Sequence, residues 1–404
     1  MKRILFVDDE PNILDGLKRI LRPQRKEWEM VFANGGEQAL AAGEENPFDV
    51  IVTDMRMPGI DGAELLTRYH ELHPQTVRFV LSGQAELESV MRLVPIAHQF
   101  LIKPANRDTL SGAVNRAIEL QDLLSDERAQ RLIGEMDSLP SRPQTYDAVT
   151  QALACPDIEI AAVAAIIEAD IAMSAKLLQL VNSAFFGLPQ AITDVCHAAT
   201  YLGLNMLRDL VLSVEVFRCP AEAGPELEGF LEQLQFRSTW TGSIARRMFD
   251  DTRLGNQAFT AGMLHDIGML VMATQLPDQY GRIVASCRET KRPFQVVEEE
   301  VLGVTHAEVG AYLLGVWGLP YPILEAAAYH HRPSDLCQEC ISELTAVHVA
   351  SALVESRKQA TGPVSPSPEV DLSYLERLGV GDRLEKWQAL VEEDEIESGK
   401  ETRA

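Results

Sequence analysis

The chain has 404 residues, 46% hydrophobic and 24% charged, a globular composition too long for one ordinary core, so two or three domains are expected. Its formal net charge is −24, a balance that opposes nonspecific attraction to nucleic acid, which depends on Lys and Arg facing phosphate. No apolar run reaches the roughly 18 residues that a membrane helix needs, so no span is predicted.

Strand-like runs ILFV (4–7), EMVFA (29–33), DVIVT (49–53), VRFVL (77–81) and QFLI (99–102) alternate with helical stretches. In the first of these stretches Ile13, Leu14, Leu17, Ile20 and Leu21 recur at helical spacing behind Pro11, a good first-turn residue. Such alternation predicts a parallel sheet covered on both faces. Strands of an open parallel sheet end along one edge, and ligands bind there. The segments ILFVDDE (4–10), TDMRMPGIDG (53–62), LSG (81–83) and FLIKP (100–104) place Asp8, Asp9, Asp54, Ser82 and Lys103 just past apolar runs. These five residues are therefore expected to meet at one point. Two like charges 4 Å apart repel by roughly 4 kcal/mol at an effective dielectric near 20, so three carboxylates call for a cation. A hard all-oxygen site suits Mg²⁺. The cation and Lys103 would neutralise an incoming phosphoryl group, Asp54 would serve as nucleophile to form an acyl phosphate, and Ser82 would hydrogen-bond its oxygens. Phosphorylation would add about two negative charges and three acceptors, enough to reorganise nearby loops.

In this order the four segments resemble the receiver domain of two-component response regulators, over residues 1 to about 122. The resemblance implies a five-stranded, parallel, doubly wound sheet of flavodoxin-like order. It implies Asp54 as phosphoacceptor, and Asp8, Asp9 and Asp54, with the backbone carbonyl of Arg56, as the Mg²⁺ site. It makes Ser82 the switch hydroxyl, Lys103 the phosphoryl partner and Phe100 the aromatic switch position.

Residues 106 to about 134 read as one long helix, with Leu110, Ala117 and Leu124 spaced by heptads, a lever or a dimer seam. Residues 123–136 form the expected linker, and DSLPSRP (137–143) marks a boundary. From there to 355, with an extension to 394, the pattern is that of an all-α bundle. Residues 395–404 close an acidic stretch expected to be a frayed tail. Within the bundle, GMLHDIGML (262–270) carries His265 and Asp266, VTHAEVGAYLL (304–314) carries His306, and AAAYHHRP (326–333) carries His330 and His331. Buried His and Asp are costly unless satisfied, so this cluster is either a metal site or a set of hydrogen bonds tying helices together. Cys337 and Cys340 form a CxxC with no second pair, and are read as incidental helix cysteines.

The HD pair, a later His and a His–His pair resemble the HD superfamily. IIEADIAMSAKLLQLVNSAFFG (166–187), AATYLGLNMLRDLVLS (198–213) and EVGAYLLGVWGLP (308–320) resemble the HDOD domain more specifically. Hydrolases of the HD type have an early His and a late Asp, and those places fall near Gly242 and Ser351 here. Arg332–Pro333 follows the His pair, in place of the Gly-Tyr-Pro of cyclic di-GMP phosphodiesterases of the HD-GYP type. Asn182 and Ser183 are read as a helix-terminal cap, with a ligand contact as the alternative. The resemblance implies a vestigial HD site and a noncatalytic regulatory output acting through protein–protein contacts. The expected partners are a sensor histidine kinase, an unidentified downstream protein and a second copy of the chain. The alternative is a receiver-controlled, metal-dependent phosphohydrolase with a second metal at the His cluster. A transcription factor is disfavoured, since no basic segment follows the receiver. The first strand begins almost at Met1, leaving no room for a signal peptide, and six scattered cysteines suggest no disulfide framework, so the expected location is the cytoplasm.

Overall fold

The computed structural model describes residues 1–83, 93, 96–104, 106–123, 143–155, 158–183, 186, 188, 191–212, 225–357 and 369–401. Strands β1 (Lys2–Asp8), β2 (Trp28–Asn34), β3 (Val50–Asp54), β4 (Val77–Ser82) and β5 (Gln99–Ile102) lie parallel in the order β2-β1-β3-β4-β5. Each apolar run of the sequence falls on its strand to within one residue at either end, except that β1 starts two residues before its run. Every residue of β3 and β4 is buried, as expected for central strands covered on both faces. Among the described residues, helices α1 (Pro11–Ile20), α2 (Gly36–Glu45), α3 (Gly62–Leu72) and α4 (Arg107–Leu123) accompany this sheet. Val7 pairs with Thr53, which sets Asp8 beside Asp54 where the strand order reverses.

The second half is helical. It contains α5 (Pro143–Ala154), α6 (Ile160–Glu168), α7 (Ile171–Asn182), α8 (Val195–Leu212, broken at Gly203), α9 (Pro225–Arg247), α10 (Thr252–Leu264) and α11 (Ile267–Gln275). Then follow α12 (Pro277–Thr290), α13 (Phe294–Leu302), α14 (His306–Val316), α15 (Tyr321–Tyr329), α16 (Glu343–Glu355), α17 (Leu372–Arg377) and α18 (Leu384–Glu401). The acidic end differs from expectation, because α18 continues through it to Glu401. Trp387 and Val391 anchor that helix in a small core with Val349, Val354 and Tyr374, which gives its first turns a reason to stay helical. The part of the expected linker helix beyond residue 123 lies outside the described residues. In the part within them, Leu110, Val114 and Ala117 are buried in the core. The apolar face of α4 is thus used inside the chain.

The two halves share one continuous hydrophobic core. At the seam the Gln99 amide, at the start of β5, donates to the Val316 carbonyl at 2.9 Å. The Gln179 amide on α7 donates to the carbonyls of Ala97 and His98, at 3.3 and 3.2 Å. A Cβ on Gly315 would meet Leu120 Cδ1 of α4 at 2.5 Å, so the Leu120 side chain packs directly on the backbone of α14 there. Lys176 is buried in the same region. Its ammonium donates to Gln179 Oε1 at 3.1 Å and stands 4.1 Å from the centre of the Trp317 ring.

Burial, aided by the nearby Arg78 guanidinium, pushes Lys176 down to about 7. Between that value and the ordinary lysine value the unfolded chain binds more protons at this residue than the folded chain. Stability should therefore rise with pH from about 7 to 10.5. Arg78 and His98 of the α/β half also face this lysine, and His98 is itself pushed well below its usual value by burial and by Arg78 and Lys176. Urea unfolding at pH 7 and pH 9.5, compared with Lys176→Met, should show the slope only in the unsubstituted chain. Equal slopes in both would refute this account of Lys176.

Candidate functional sites

The first site lies at the C-terminal edge of the sheet. Asp8 and Asp54 end β1 and β3, and Lys103 follows β5. The Lys103 ammonium is 2.8 Å from Asp8 Oδ2 and 2.6 Å from Asp54 Oδ1. Asp54 Oδ1 also accepts from the Met55 N–H at 2.8 Å, and Asp8 Oδ1 accepts from the Glu10 N–H at 2.9 Å. Burial raises the Asp54 carboxyl above its ordinary range, with Lys103 pulling the other way and Asp8 adding to the rise. Burial also works against the Lys103 charge, but hydrogen bonds to Asp54 and Asp8 outweigh it and raise that group. Carboxylate oxygens of Asp8, Asp9 and Asp54 lie within 4.8 Å of one another. This hard, all-oxygen set fits Mg²⁺. Ser82 is buried at the end of β4, and Phe100 is buried within β5. Asp8, Asp9, Asp54, Ser82 and Lys103 are therefore brought to one edge, whereas Phe100, the second residue of β5, lies inside the sheet. Sequence reading missed Gly62, where a Cβ would lie 2.3 Å from the Asp54 carbonyl oxygen. Only glycine lets the start of α3 pass beneath the Asp54 backbone.

The second site lies where α10, α11, α14 and α15 meet. His265 and Asp266 form the joint between α10 and α11, His306 opens α14, and His330 and His331 follow α15. His265 Nδ1 hydrogen-bonds the Gly262 carbonyl at 2.5 Å, which turns Nε2 to within 3.3 Å of Asp266 Oδ2. His330 Nδ1 meets the Ala327 carbonyl at 2.9 Å, which turns its Nε2 toward Asp266 Oδ1 at 3.5 Å. His306 Nε2 is also 3.5 Å from that oxygen and 2.9 Å from His331 Nε2. All five sequence-derived residues converge. Asp266 Oδ1 and His330 Nε2 are buried without a hydrogen-bond partner.

Glu298 on α13 was not found in the sequence. It is fully buried, and its Oε2 accepts from the His306 backbone N–H at 2.9 Å and meets His306 Nδ1 at 2.6 Å. Its other oxygen accepts from the Tyr280 hydroxyl at 3.1 Å. Burial opposes a charge on His306, but Glu298 outweighs it and pushes that imidazole up to about 9. Burial pushes His265 down to about 4 against the pull of Asp266. Burial also opposes charge on Asp266, yet the surrounding His265, His330 and His306 hold its carboxyl well below the usual range. Gly268 is a second omission. A Cβ there would lie 1.9 Å from the His306 carbonyl, so glycine alone lets α11 cross α14 at this point.

Comparison with known families agrees with both halves. The response regulator receiver domain model matches residues 4–115, and the HDOD domain model matches residues 139–333. The chain is a receiver domain joined to an HDOD domain. An uncharacterized protein of Treponema pallidum (strain Nichols) is 27% identical over 232 residues, 57% of this chain and 45% of that protein. The hydrogenase transcriptional regulatory protein HoxA of Cupriavidus necator is 35% identical over 125 residues, 30% of this chain and 25% of HoxA. This chain therefore spans less than half the length of either relative. The crystal structure of a virulence factor from Campylobacter jejuni subsp. jejuni shares the fold, with TM-score 0.51 and 21% identity over 63% of this chain and 93% of that one. The architecture, a receiver domain followed by an HDOD domain, is that of a response regulator. No helix among the described residues is long and apolar enough to cross a membrane.

Gly242 and Ser351, near which the sequence resemblance puts two further ligand positions of HD hydrolases, are both packed into the bundle. Gly242 on α9 packs against α10, and a Cβ on it would lie 2.7 Å from the Phe259 carbonyl. Ser351 on α16 is buried and donates to the His348 carbonyl at 3.2 Å. The Asn182 amide clips the end of α7 to the chain beyond, exchanging hydrogen bonds with Ile192 N–H and C=O, both at 2.7 Å. Ser183 Oγ donates to Leu180 O at 2.5 Å. Both act as the helix-terminal lock read from the sequence. Cys337 and Cys340 are exposed and free, and they lie in the loop before α16 rather than on the helix expected for them.

Proposed function

We propose that a sensor histidine kinase phosphorylates Asp54 and that the phosphorylated receiver controls a noncatalytic HDOD domain, which signals by binding a downstream protein. In the transfer an Asp54 oxygen forms a bond to phosphorus, while the P–N bond of the phosphohistidine donor breaks and its imidazole leaves with the electron pair. Met55 and Lys103 hold Asp54 Oδ1, which leaves Oδ2 for attack. Asp8, Asp9 and Asp54 would hold Mg²⁺, which supplies charge neutralisation for the phosphoryl group. Ser82 and Lys103 then bind the new phosphoryl oxygens.

The observation that carries the noncatalytic reading is Gly242. At Gly242, near which the resemblance puts the early histidine, a side chain has no room, because α9 and α10 meet there backbone against side chain and backbone. Ser351, near which the resemblance puts the late aspartate, adds to it. Burial raises the carboxyl of Glu355 at the end of α16, with the buried Arg237 pulling the other way.

One observation favours a second reading, a receiver-controlled phosphohydrolase acting on a cyclic dinucleotide such as cyclic di-GMP. Asp266 Oδ1 and His330 Nε2 lack partners although buried, and they face one another. A mixed imidazole and carboxylate set fits iron, manganese or zinc. His265, Asp266, His306, His330 and His331 would hold the ion, which would supply Lewis acidity toward a phosphate ester.

Elemental analysis of the purified chain beside His265→Ala separates the two readings. The noncatalytic reading expects no hydrolysis of cyclic di-GMP with Mn²⁺, Fe²⁺ or Mg²⁺, and no stoichiometric metal that the substitution removes. One or two equivalents of metal, lost in His265→Ala together with metal-dependent turnover, would overturn it.

A further inference from the structure

Lys103, which touches the phosphoacceptor, and Gln99, which holds the HDOD domain, stand at opposite ends of β5. The four residues of that strand span roughly 13 Å at the usual rise. Gln99 grips the Val316 carbonyl, the last residue of α14, and the first residue of α14 is His306 of the histidine cluster. The helix is buried along most of its length and crosses α11 backbone to backbone at Gly268. At its far end His306 is fixed through both its N–H and its ring by Glu298. A displacement at either end therefore has little slack in which to be absorbed.

We propose that β5 and α14 form one mechanical train, so that phosphorylation of Asp54 alters the set of α14 and with it the histidine cluster. The train has two joints. The first is the salt bridge from Lys103 to Asp54 and Asp8, which a phosphoryl group on Asp54 must redistribute, since Lys103 gains a more highly charged partner. The second is the amide of Gln99 on the Val316 carbonyl, with Gln179 gripping Ala97 and His98 beside it. Coupling is reciprocal, so a change in the histidine cluster must alter the phosphoacceptor site by the same free energy. This inference rests on Asp54 being the phosphoacceptor, and it names how the output domain is regulated.

The test is hydrogen exchange on the full chain with and without Mg²⁺ and beryllofluoride, a stable stand-in for the phosphoryl group. The amides of Trp317, Gly318 and Leu319 close the end of α14 on the carbonyls of Leu313, Gly315 and Leu314, and report its state. Exchange at these amides should change by about fivefold or more in the unsubstituted chain, the lower end of typical allosteric coupling. In Gln99→Met, which keeps the side-chain bulk and removes the donor, the change should shrink while the receiver amides still respond. Should Gln99→Met fail to fold, Gln179→Met interrupts the same joint from the other side. Response confined to the receiver amides would overturn the coupling and leave the phosphoacceptor reading standing. Absence of response even at Asp54 and its neighbours would overturn both.

Discussion

An Asp54→Asn chain is expected to take up no phosphate from acetyl phosphate and Mg²⁺, while the unsubstituted chain gains one phosphoryl group visible by intact mass. The amide has the same shape and can still accept from Met55 N–H and Lys103, so the site keeps its geometry. It lacks the anionic oxygen that attacks phosphorus, and removing a nucleophile that acts by bond formation eliminates the reaction rather than slowing it. Stability should move in the opposite direction. Burial already disfavours the charge on Asp54, and Asp8 adds repulsion, so a neutral side chain removes an unfavourable term. The variant should melt at the same temperature or higher. Phosphate uptake at undiminished level in Asp54→Asn would show that another residue receives the group.

Gly268→Ala should be among the most destabilising single-methyl additions in the chain. The added carbon would lie 1.9 Å from the His306 carbonyl oxygen and 2.8 Å from the Gly310 nitrogen, both backbone atoms that no rotamer change can clear. Overpacking a core costs typically 1–3 kcal/mol when side chains can shift. Here two helices must part, so a loss of about 3 kcal/mol or more is expected. The same movement would draw His306 away from Glu298. Gly281→Ala supplies the control, because a Cβ on that residue of α12 meets nothing within 4 Å. That substitution should be neutral or stabilising by up to about 1 kcal/mol, the helix preference of alanine over glycine. Urea midpoints of the two variants give the comparison, and similar midpoints would refute the close crossing of α11 and α14.

The receiver half was legible because its chemistry sits at strand ends, and strand ends follow from short apolar runs. Asp8, Asp54 and Lys103 could be brought together from order alone, since a parallel sheet has one C-terminal edge. The histidines were legible for a different reason. Imidazoles and a carboxylate interrupt long apolar helices, and such interruptions are costly unless the groups meet. Glu298 gave no such signal. It stands in a row of three glutamates, and only the fold separates it from Glu300, which is exposed and paired with Arg292. Gly268 lies two residues past Asp266, and the HD pair itself could have drawn attention to it. The seam was beyond reach of the sequence, because Gln99 and Val316 are separated by 217 positions and neither belongs to a periodic pattern that marks a contact.

The seam has a feature with a genetic consequence. Gln99 and Gln179 both end on main-chain carbonyls, those of Val316, Ala97 and His98. Every residue carries a carbonyl, so the accepting side of each bond survives any substitution that leaves the backbone in place. The donors are two amide side chains, one from each half. Drift at the accepting residues therefore leaves these bonds intact, whereas loss of either glutamine removes the bonds it donates. A suppressor screen against a loosened seam should thus recover changes that restore a donor at position 99 or 179, and should find none that work by replacing an acceptor.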